Sequence, residues 1–322
     1  MDQPNVASTA VVEVASLTMD TTAFASRLPA PGETILGHDV TYFPGGKGLN
    51  QALAVARQGV ATAMIGMVGD DPAAATILAT AQASGLDTRA VGTAPGASGT
   101  AHIYVGADGR NSIVMVPAAN TALTVEHVDA HAELIANAAV VAAQLECPID
   151  AVARAFELAH AAGVATVLNP APAQPLDREF LALCDYVIPN ETEIELLTGH
   201  APLDEHSERV AIDALLDQGA QAVILTMGER GAHYRSAELD RHVPALTVSA
   251  LDSTAAGDAF VGGFASALAE GLALDDALVR ATVAGGLACT VAGASPSLPE
   301  RDAVERGVRA WWAEHAPEGI AR

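Results

Sequence analysis

Two carboxylates, Asp252 and Asp258, flank a run of small residues in LDSTAAGDAF (251–260), and an Ala-rich helical pattern follows. The first amides of a helix have no internal partner and carry the positive end of its dipole. Ala255, Ala256 and Gly257 have no bulk to cover those amides, so an anion such as a phosphoryl group in transfer could rest on them. Asp258 would then stand beside that group, placed to take a proton from an attacking hydroxyl. The plainer reading is that Asp258 favours a helix first turn, worth about 0.3–1 kcal/mol. The stretch by itself leaves both open.

A second glycine turn opens a helix in PGGKGLNQA (44–52). Gly45 and Gly46 let backbone approach a ligand, and Asn50 lies one turn beyond Gly46 on the same side. A polyol would suit such amides and an Asn; an ordinary loop-to-helix turn would look the same. Lys47 could neutralise phosphate charge or be a solvated helix-start lysine, and counts as a binding residue only. PNETE (189–193) sets Asn190 and Glu193 three residues apart at a helix start. Acid and amide at that spacing could position hydrated Mg²⁺, or simply cap the helix.

Other chemistries lack their motifs. There is no GxGxxG after the first strand, no GxxxxGK[ST] and no GxSxG, which disfavours a nicotinamide oxidoreductase. His127 and His131 are spaced to share a helix face, but no zincin Glu or third ligand accompanies them, so they read as a solvated face.

The elements that must position these residues alternate between strand and helix. Strands are expected at 9–17, 61–69, 139–146, 164–170, 185–190 and 222–228. Helices are expected at 45–59, 72–85, 125–138, 150–163 and 191–199, then two from Gly257 to Val291 broken near Gly271, and a last one from Pro299 to Trp312. Such alternation builds a doubly wound, mostly parallel sheet with helices on both faces. Ligands in these folds sit beyond the carboxyl ends of the strands, which nominates Asp20, Glu146, Asn169, Asn190, Thr226 and Gly228. Segments 33–43 and 100–116 alternate instead like half-exposed antiparallel strands, the second around an Asp108–Gly109 turn. They suggest a small β-strand lid that excludes water from a crevice.

The chain has 322 residues, 50% hydrophobic, enough for one large domain over 1–322. With 16 Lys+Arg against 39 Asp+Glu and a net charge of −23, it lacks the basic footprint of a nucleic-acid binder. No apolar run reads as a membrane span, and no secretory signal is visible. Cys147, Cys184 and Cys289 show no CxxC and read as reduced, two of them in the core, so a cytoplasmic location is expected.

Together and in this order, these motifs resemble the ribokinase family of sugar kinases, the PfkB-type carbohydrate kinases. The likeness runs from Val11 to Pro299 and includes PGETILG, PGGKGLNQA, VGDD, QLECP, NPAPA, PNETE, LTMGERG, DSTAAGDAF and GASPS. It implies a ribokinase-like three-layer α/β/α fold and ATP-dependent phosphorylation of a pentose primary hydroxyl, D-ribose first. Deoxyribose, another sugar or a nucleoside is the alternative, and a catalytically silent sugar-binding protein on the same fold is a third. The resemblance makes Asp258 the general base and Ala255, Ala256 and Gly257 the anion hole. Gly46, Asn50, Asp20 and Glu146 become sugar contacts, and Asp252 lies near sugar and a monovalent cation. Asn190 and Glu193 would organise phosphate and Mg²⁺ through water, and Thr226, Gly228 and Gly231 would form the ATP-phosphate turn. Asp252, Thr254, Ala288, Val291, Gly293 and Ser297 would hold an activating K⁺.

Three departures stand out. The family commonly shows S-x-N-x-D, whereas SLTMD here puts Thr18 in the Asn place, with one short donor instead of a longer amide. AAGD replaces the commoner GAGD, and Val291–Ala292 replace a basic pair. The edges of the lid strands need covering, so a homodimer through the lid is expected.

Overall fold

The computed structural model describes residues 10–108 and 110–315. Its strands are β1 (Val11–Ala15), β2 (Thr18–Ala25), β3 (Gly37–Gly45), β4 (Thr62–Gly69), β5 (Asp87–Ala94), β6 (Gly99–Gly106) and β7 (Asn111–Val116). They continue with β8 (Val140–Gln144), β9 (Ala165–Asn169), β10 (Tyr186–Val187), β11 (Ala222–Thr226), β12 (Ala232–Ser236) and β13 (Asp240–Val243). The helices are α1 (Lys47–Arg57), α2 (Pro72–Ala83), α3 (Val125–Asp129), α4 (Ala132–Ala136), α5 (Ile149–Ala162) and α6 (Arg178–Leu181). After them come α7 (Glu191–Thr198), α8 (Glu205–Asp217), α9 (Ala256–Ala269), α10 (Leu274–Ala288) and α11 (Arg301–His315).

Nine strands form the main sheet in the order β13-β12-β11-β10-β9-β8-β1-β4-β5, with only β12 and β13 antiparallel to their neighbours. From β1 the chain builds outward to β4 and β5, then returns to the other side of β1 and builds through β8, β9, β10 and β11. The winding reverses between β1 and β8, which is where a crevice opens at the carboxyl ends of a doubly wound sheet. Each residue of β1 is buried, and its side chains alternate between two cores. Val11 and Ala15 join Leu49, Leu53, Phe264 and Leu278 under α1, α9 and α10. Val12 and Val14 join Phe156, Ile194 and Ile212 on the opposite face. Burying each large side chain of this kind contributes about 1.5–3 kcal/mol, so both faces hold the strand ends rigid. Cys147 and Cys184 lie in the second core. Among the described residues, no helix is long and apolar enough to cross a membrane.

A four-stranded sheet, β3-β2-β6-β7, stands apart from the main one. Two of its strands correct the sequence expectation. The first strand does not run over 9–17, and Thr9 lies outside the described residues; the chain leaves the main sheet at Ser16–Leu17 and enters β2. The side chain of Asn120 carries this crossover: Leu17 N donates to Asn120 Oδ1 at 2.9 Å, and Asn120 Nδ2 donates to Leu17 O at 3.0 Å. Thr18 and Asp20 are therefore lid residues, paired with Gly45 and Phe43 on one side and with Gly99 and Ala101 on the other. The expected strand over 33–43 starts at Gly37 and runs on to Gly45. Gly109 of the expected Asp108–Gly109 turn lies outside the described residues. The single helix expected over 125–138 is two short ones. His131 Nδ1 donates to the His127 carbonyl at 2.8 Å, while the His131 amide bonds Val128 O at 2.9 Å, so the regular ladder ends there.

Candidate active site

At the winding reversal, β1 and β8 are tied by side chains just past their ends. Ser16 Oγ donates to Glu146 Oε2 at 2.6 Å, and the Lys47 amide donates to the same oxygen at 3.0 Å. Burial raises the Glu146 pKa despite these donors. The glycine turn fits here for steric reasons. Gly46 has φ 95°, open to glycine at little cost. A Cβ on Gly48 would lie 2.4 Å from Ala15 Cα and Ser16 N, so only glycine lets α1 dock on β1.

That docking aims α1 at α9. Asn50 Nδ2 donates to Asp258 Oδ2 and Gln51 Nε2 to Asp258 Oδ1, each at 3.1 Å. Gln51 Nε2 also lies 3.1 Å from Asn169 Oδ1 at the end of β9. Asp258 is only 6% exposed, so two amides fix a nearly buried carboxylate from behind. Ala255, the N-cap of α9, takes a left-handed φ of 59°. This is the position where the commoner sequence has glycine, and a β-carbon there costs about 1–2 kcal/mol. The backbone path is retained. A Cβ built on Gly257, within the first turn, would meet nothing within 4 Å. Ala256, Gly257 and Asp258 thus open the helix: the Ala256 amide donates to Ser253 O at 3.2 Å, and the empty side lies at Gly257.

Asp20 reaches the same crevice from the lid. Its Oδ2 would sit 2.2 Å from a Cβ on Gly45, and its Oδ1 accepts from Thr18 Oγ1 at 2.6 Å. Burial lifts the Asp20 pKa to about 6; the Thr18 hydroxyl lowers it, and the charges of Glu146 and Asp258 raise it. Lys47 lies among carboxylates: burial lowers its pKa, but Asp258, Glu146 and Glu193 outweigh this and leave it raised.

Asn190 and Glu193 form a reciprocal cap on α7, with Glu193 N donating to Asn190 Oδ1 at 2.8 Å and Asn190 N to Glu193 Oε2 at 2.9 Å. Capping does not remove Glu193 from the centre. Burial raises its pKa, and the charges of Lys47 and Asp258 act on it. Asn190 bridges Thr226 across parallel backbone, and the turn Gly228–Arg230 follows, closed by Met227 N donating to Gly231 O at 2.8 Å. Among the described residues, no three His, Cys, Asp or Glu side chains cluster to hold a metal directly. One carboxylate facing a phosphate crevice fits Mg²⁺ bound mainly by phosphates and water.

Asp252 faces away from this group, into the late loop. Its Oδ1 accepts from Thr254 N at 2.9 Å and Thr254 Oγ1 at 2.6 Å, and its Oδ2 from Gly293 N at 2.8 Å. Ser297 Oγ lies 3.4 Å from Thr254 O, and Val291 N donates to Ala288 O at 3.3 Å. Of the six residues expected around K⁺, Ala288 ends α10, and the other five lie in the adjoining segments before α9 and after α10. Sequence reasoning missed Ser16 and Gln51. Gln51 had one signal, a second amide beside Asn50 in an otherwise apolar helix; Ser16 had none.

A doubly wound sheet with a β lid, and an Asp at a small-residue helix start, are the arrangement that the resemblance to carbohydrate kinases implies. The pfkB family carbohydrate kinase profile matches residues 8–301. The chain is 40% identical over 292 residues to a ribokinase of Staphylococcus aureus (strain COL), covering 90% of this chain and 96% of that one. It is 35% identical over 292 residues to a deoxyribokinase of Salmonella typhi, covering 90% and 95%. A structure of Arabidopsis thaliana ribokinase complexed with ribose and ATP superposes with a TM-score of 0.88 at 29% identity, covering 94% of this chain and 99% of that one. The chain belongs to the pfkB family of carbohydrate kinases and is a phosphotransferase with an alcohol acceptor.

Proposed function

We propose that this kinase transfers the γ-phosphoryl group of ATP to the primary hydroxyl of a pentose, D-ribose first, giving ribose 5-phosphate and ADP. The observation that carries this is the Asp258 carboxylate, held by Asn50 and Gln51 at the mouth of the α9 amide cradle. Asp258 takes the hydroxyl proton as the sugar oxygen attacks the γ-phosphorus; the bond to the ADP oxygen breaks, and ADP leaves. The Gly257 amide, in the open first turn of α9, takes up charge on the transferring group, with Ala255 and Ala256 shaping the turn. Asp20, Gly46, Asn50 and Glu146 orient the sugar, and Lys47 offsets phosphate charge. Asn190, Thr226, Gly228 and Gly231 lie on the nucleotide side. Mg²⁺, held through water by Glu193 and Asn190, would neutralise phosphate charge. K⁺ in the Asp252–Thr254 and Ala288–Ser297 loops would steady the cradle from behind.

A second substrate, deoxyribose, is favoured by one contact: the Thr18 hydroxyl hydrogen is committed to Asp20 at 2.6 Å. A sugar hydroxyl at that place can still donate to Thr18 Oγ1 but receives no hydrogen from it, one bond fewer than an Asn amide offers, and such bonds weigh in discrimination. ADP release across ribose, deoxyribose, other sugars and nucleosides, with and without K⁺, tests the proposal. Turnover of a pentose ahead of nucleosides is expected; sugar binding with no turnover of any substrate would sink it.

Asp20 gives a pH prediction. Its pKa of about 6 means that sugar KM rises as pH falls through 6, because a protonated carboxyl accepts fewer sugar hydroxyls. Thr18→Val removes a donor that favours the charged form, so the break moves to higher pH. KM for sugar measured from pH 5 to 8 checks both; a flat profile would exclude Asp20 as a sugar contact. A homodimer through the lid and a cytoplasmic location belong to the same reading. The lid exposes Tyr42, Phe43, Ile113 and Val114, and sedimentation at assay concentration tests the dimer.

A further inference from the structure

Glu13 stands in the middle of β1, an interior strand of the main sheet, with no exposed surface. Among the described residues neither of its carboxyl oxygens has a partner within full hydrogen-bond geometry, although the Gln144 amide is close enough to act on it. Leaving a carboxylate in that state costs several kcal/mol in order of magnitude, and a valine would fill the place without that cost. Its neighbours explain why an acid is held there. Glu13 points to the same face as Val11 and Ala15, under α1 and α9. Gly48 of α1 sits on Ala15, and Gln51 lies one turn further along the same helix. A Cβ on Gly262 of α9 would come to 3.0 Å from Gln51 O, so α9 closes over the same spot.

A count of donors and acceptors in this pocket of buried side chains is uneven. Gln51 Nε2 has two hydrogens, and both have partners, Asp258 Oδ1 and Asn169 Oδ1. The other end of the same amide, Gln51 Oε1, is fully buried and has no donor. Gln144, diagonally across the sheet, spends one hydrogen on Val14 O at 2.6 Å and keeps the second. An ionised Glu13 would add only acceptors, whereas a neutral one adds the donor that Gln51 lacks. Burial and the charge of Asp258 both favour the neutral form, and the Gln144 amide opposes it only in part. The other titratable groups nearby are Cys147 beyond the end of β8, itself acted on by Glu13, and Lys47 and Glu146 around Asp258.

We propose that Glu13 is a positioning residue for the base: as a neutral acid it donates its proton to Gln51 Oε1, directly or through one buried water. This locks the amide with its nitrogen toward Asp258. A turned amide would present oxygen to the carboxylate and to Asn169 Oδ1, and the base would lose one of its two side-chain donors. The inference rests on Asp258 being the base, but its test separates the two. Asp258→Asn judges the base; variants of Glu13 judge the support.

Three measurements decide it. A neutral buried acid gives a carboxylic C=O stretch in the infrared difference spectrum between wild type and Glu13→Gln at neutral pH. Glu13→Gln keeps a donor at the same reach, so kcat stays within about threefold. Glu13→Val lowers kcat about tenfold with KM for ATP unchanged. The Glu13→Val protein melts no lower than wild type, since an unpaired buried group has been removed. Absence of the infrared band, or a Glu13→Val enzyme with unchanged kcat, would overturn the proposal. A Glu13→Gln enzyme as impaired as Glu13→Val would do the same. If Glu13→Val does not fold, the infrared band and the Glu13→Gln kcat decide alone.

Discussion

Asp258→Asn lowers kcat by about 10²–10⁴, the range for loss of a positioned general base, while sugar affinity stays within a few-fold. The asymmetry follows from the geometry. The sugar is gripped mainly by groups from other elements, Asp20 on β2, Asn50 on α1 and Glu146 after β8, and these remain. At position 258 the amide cannot take a proton. It also sets an NH₂ against one of two donors, Asn50 Nδ2 or Gln51 Nε2, each 3.1 Å from the native carboxylate. Turnover by ADP release and sugar binding by calorimetry separate the two effects. Near-native turnover in this variant would remove Asp258 as the base, whatever the fate of Glu13.

Gly48→Ala is expected to be nearly as costly to activity, through packing alone. The added methyl would lie 2.4 Å from Ala15 Cα and Ser16 N and 2.6 Å from Gln144 Nε2. Two of these are backbone of β1 and its exit, so α1 must lift off β1. A shift of about 1 Å displaces Asn50 and Gln51 from Asp258 together, and such a misplacement costs on the order of 10²-fold in kcat/KM. Overpacking of this kind also destabilises by about 1–3 kcal/mol. Gly163→Ala provides the comparison. Gly163 closes α5 with φ 72° and has nothing within 4 Å of a built Cβ. Its variant loses about 1–2 kcal/mol from left-handed strain and leaves kcat/KM alone. Thermal melts beside kinetics on both variants check this; equal kinetic loss in the two would show that stability, not the seating of α1, controls the rate.

Much of the architecture was legible because it is local. Strand runs such as AVILT and helix starts such as Pro72 after Asp71 are written in neighbouring residues, and the structure has them as β11 and the capped start of α2. The lid was legible in part. Alternation exposed β6 and β7, but β2 was hidden, because TMDTTAFA follows a buried strand without a turn residue. What ends β1 is Asn120, a side chain 103 residues away, and no local signal announces it.

By itself the sequence determined the small-residue helix start with its Asp, the glycine turn with its Asn, and the order of motifs along a parallel sheet. These depend on backbone conformation and period, which neighbouring residues dictate. Only the tertiary structure decided which side chains support one another. Asn50 and Gln51 meet Asp258 across 208 and 207 residues. Thr18 turns its hydroxyl to Asp20 inside the lid. Glu13, one acid in an apolar strand, becomes notable only when burial removes its solvent and the packing of α1 and α9 leaves Gln51 Oε1 without a donor. Hydrogen-bond balance in a buried site is a property of the closed pocket, and the pocket exists only once the sheet and both helices have come together.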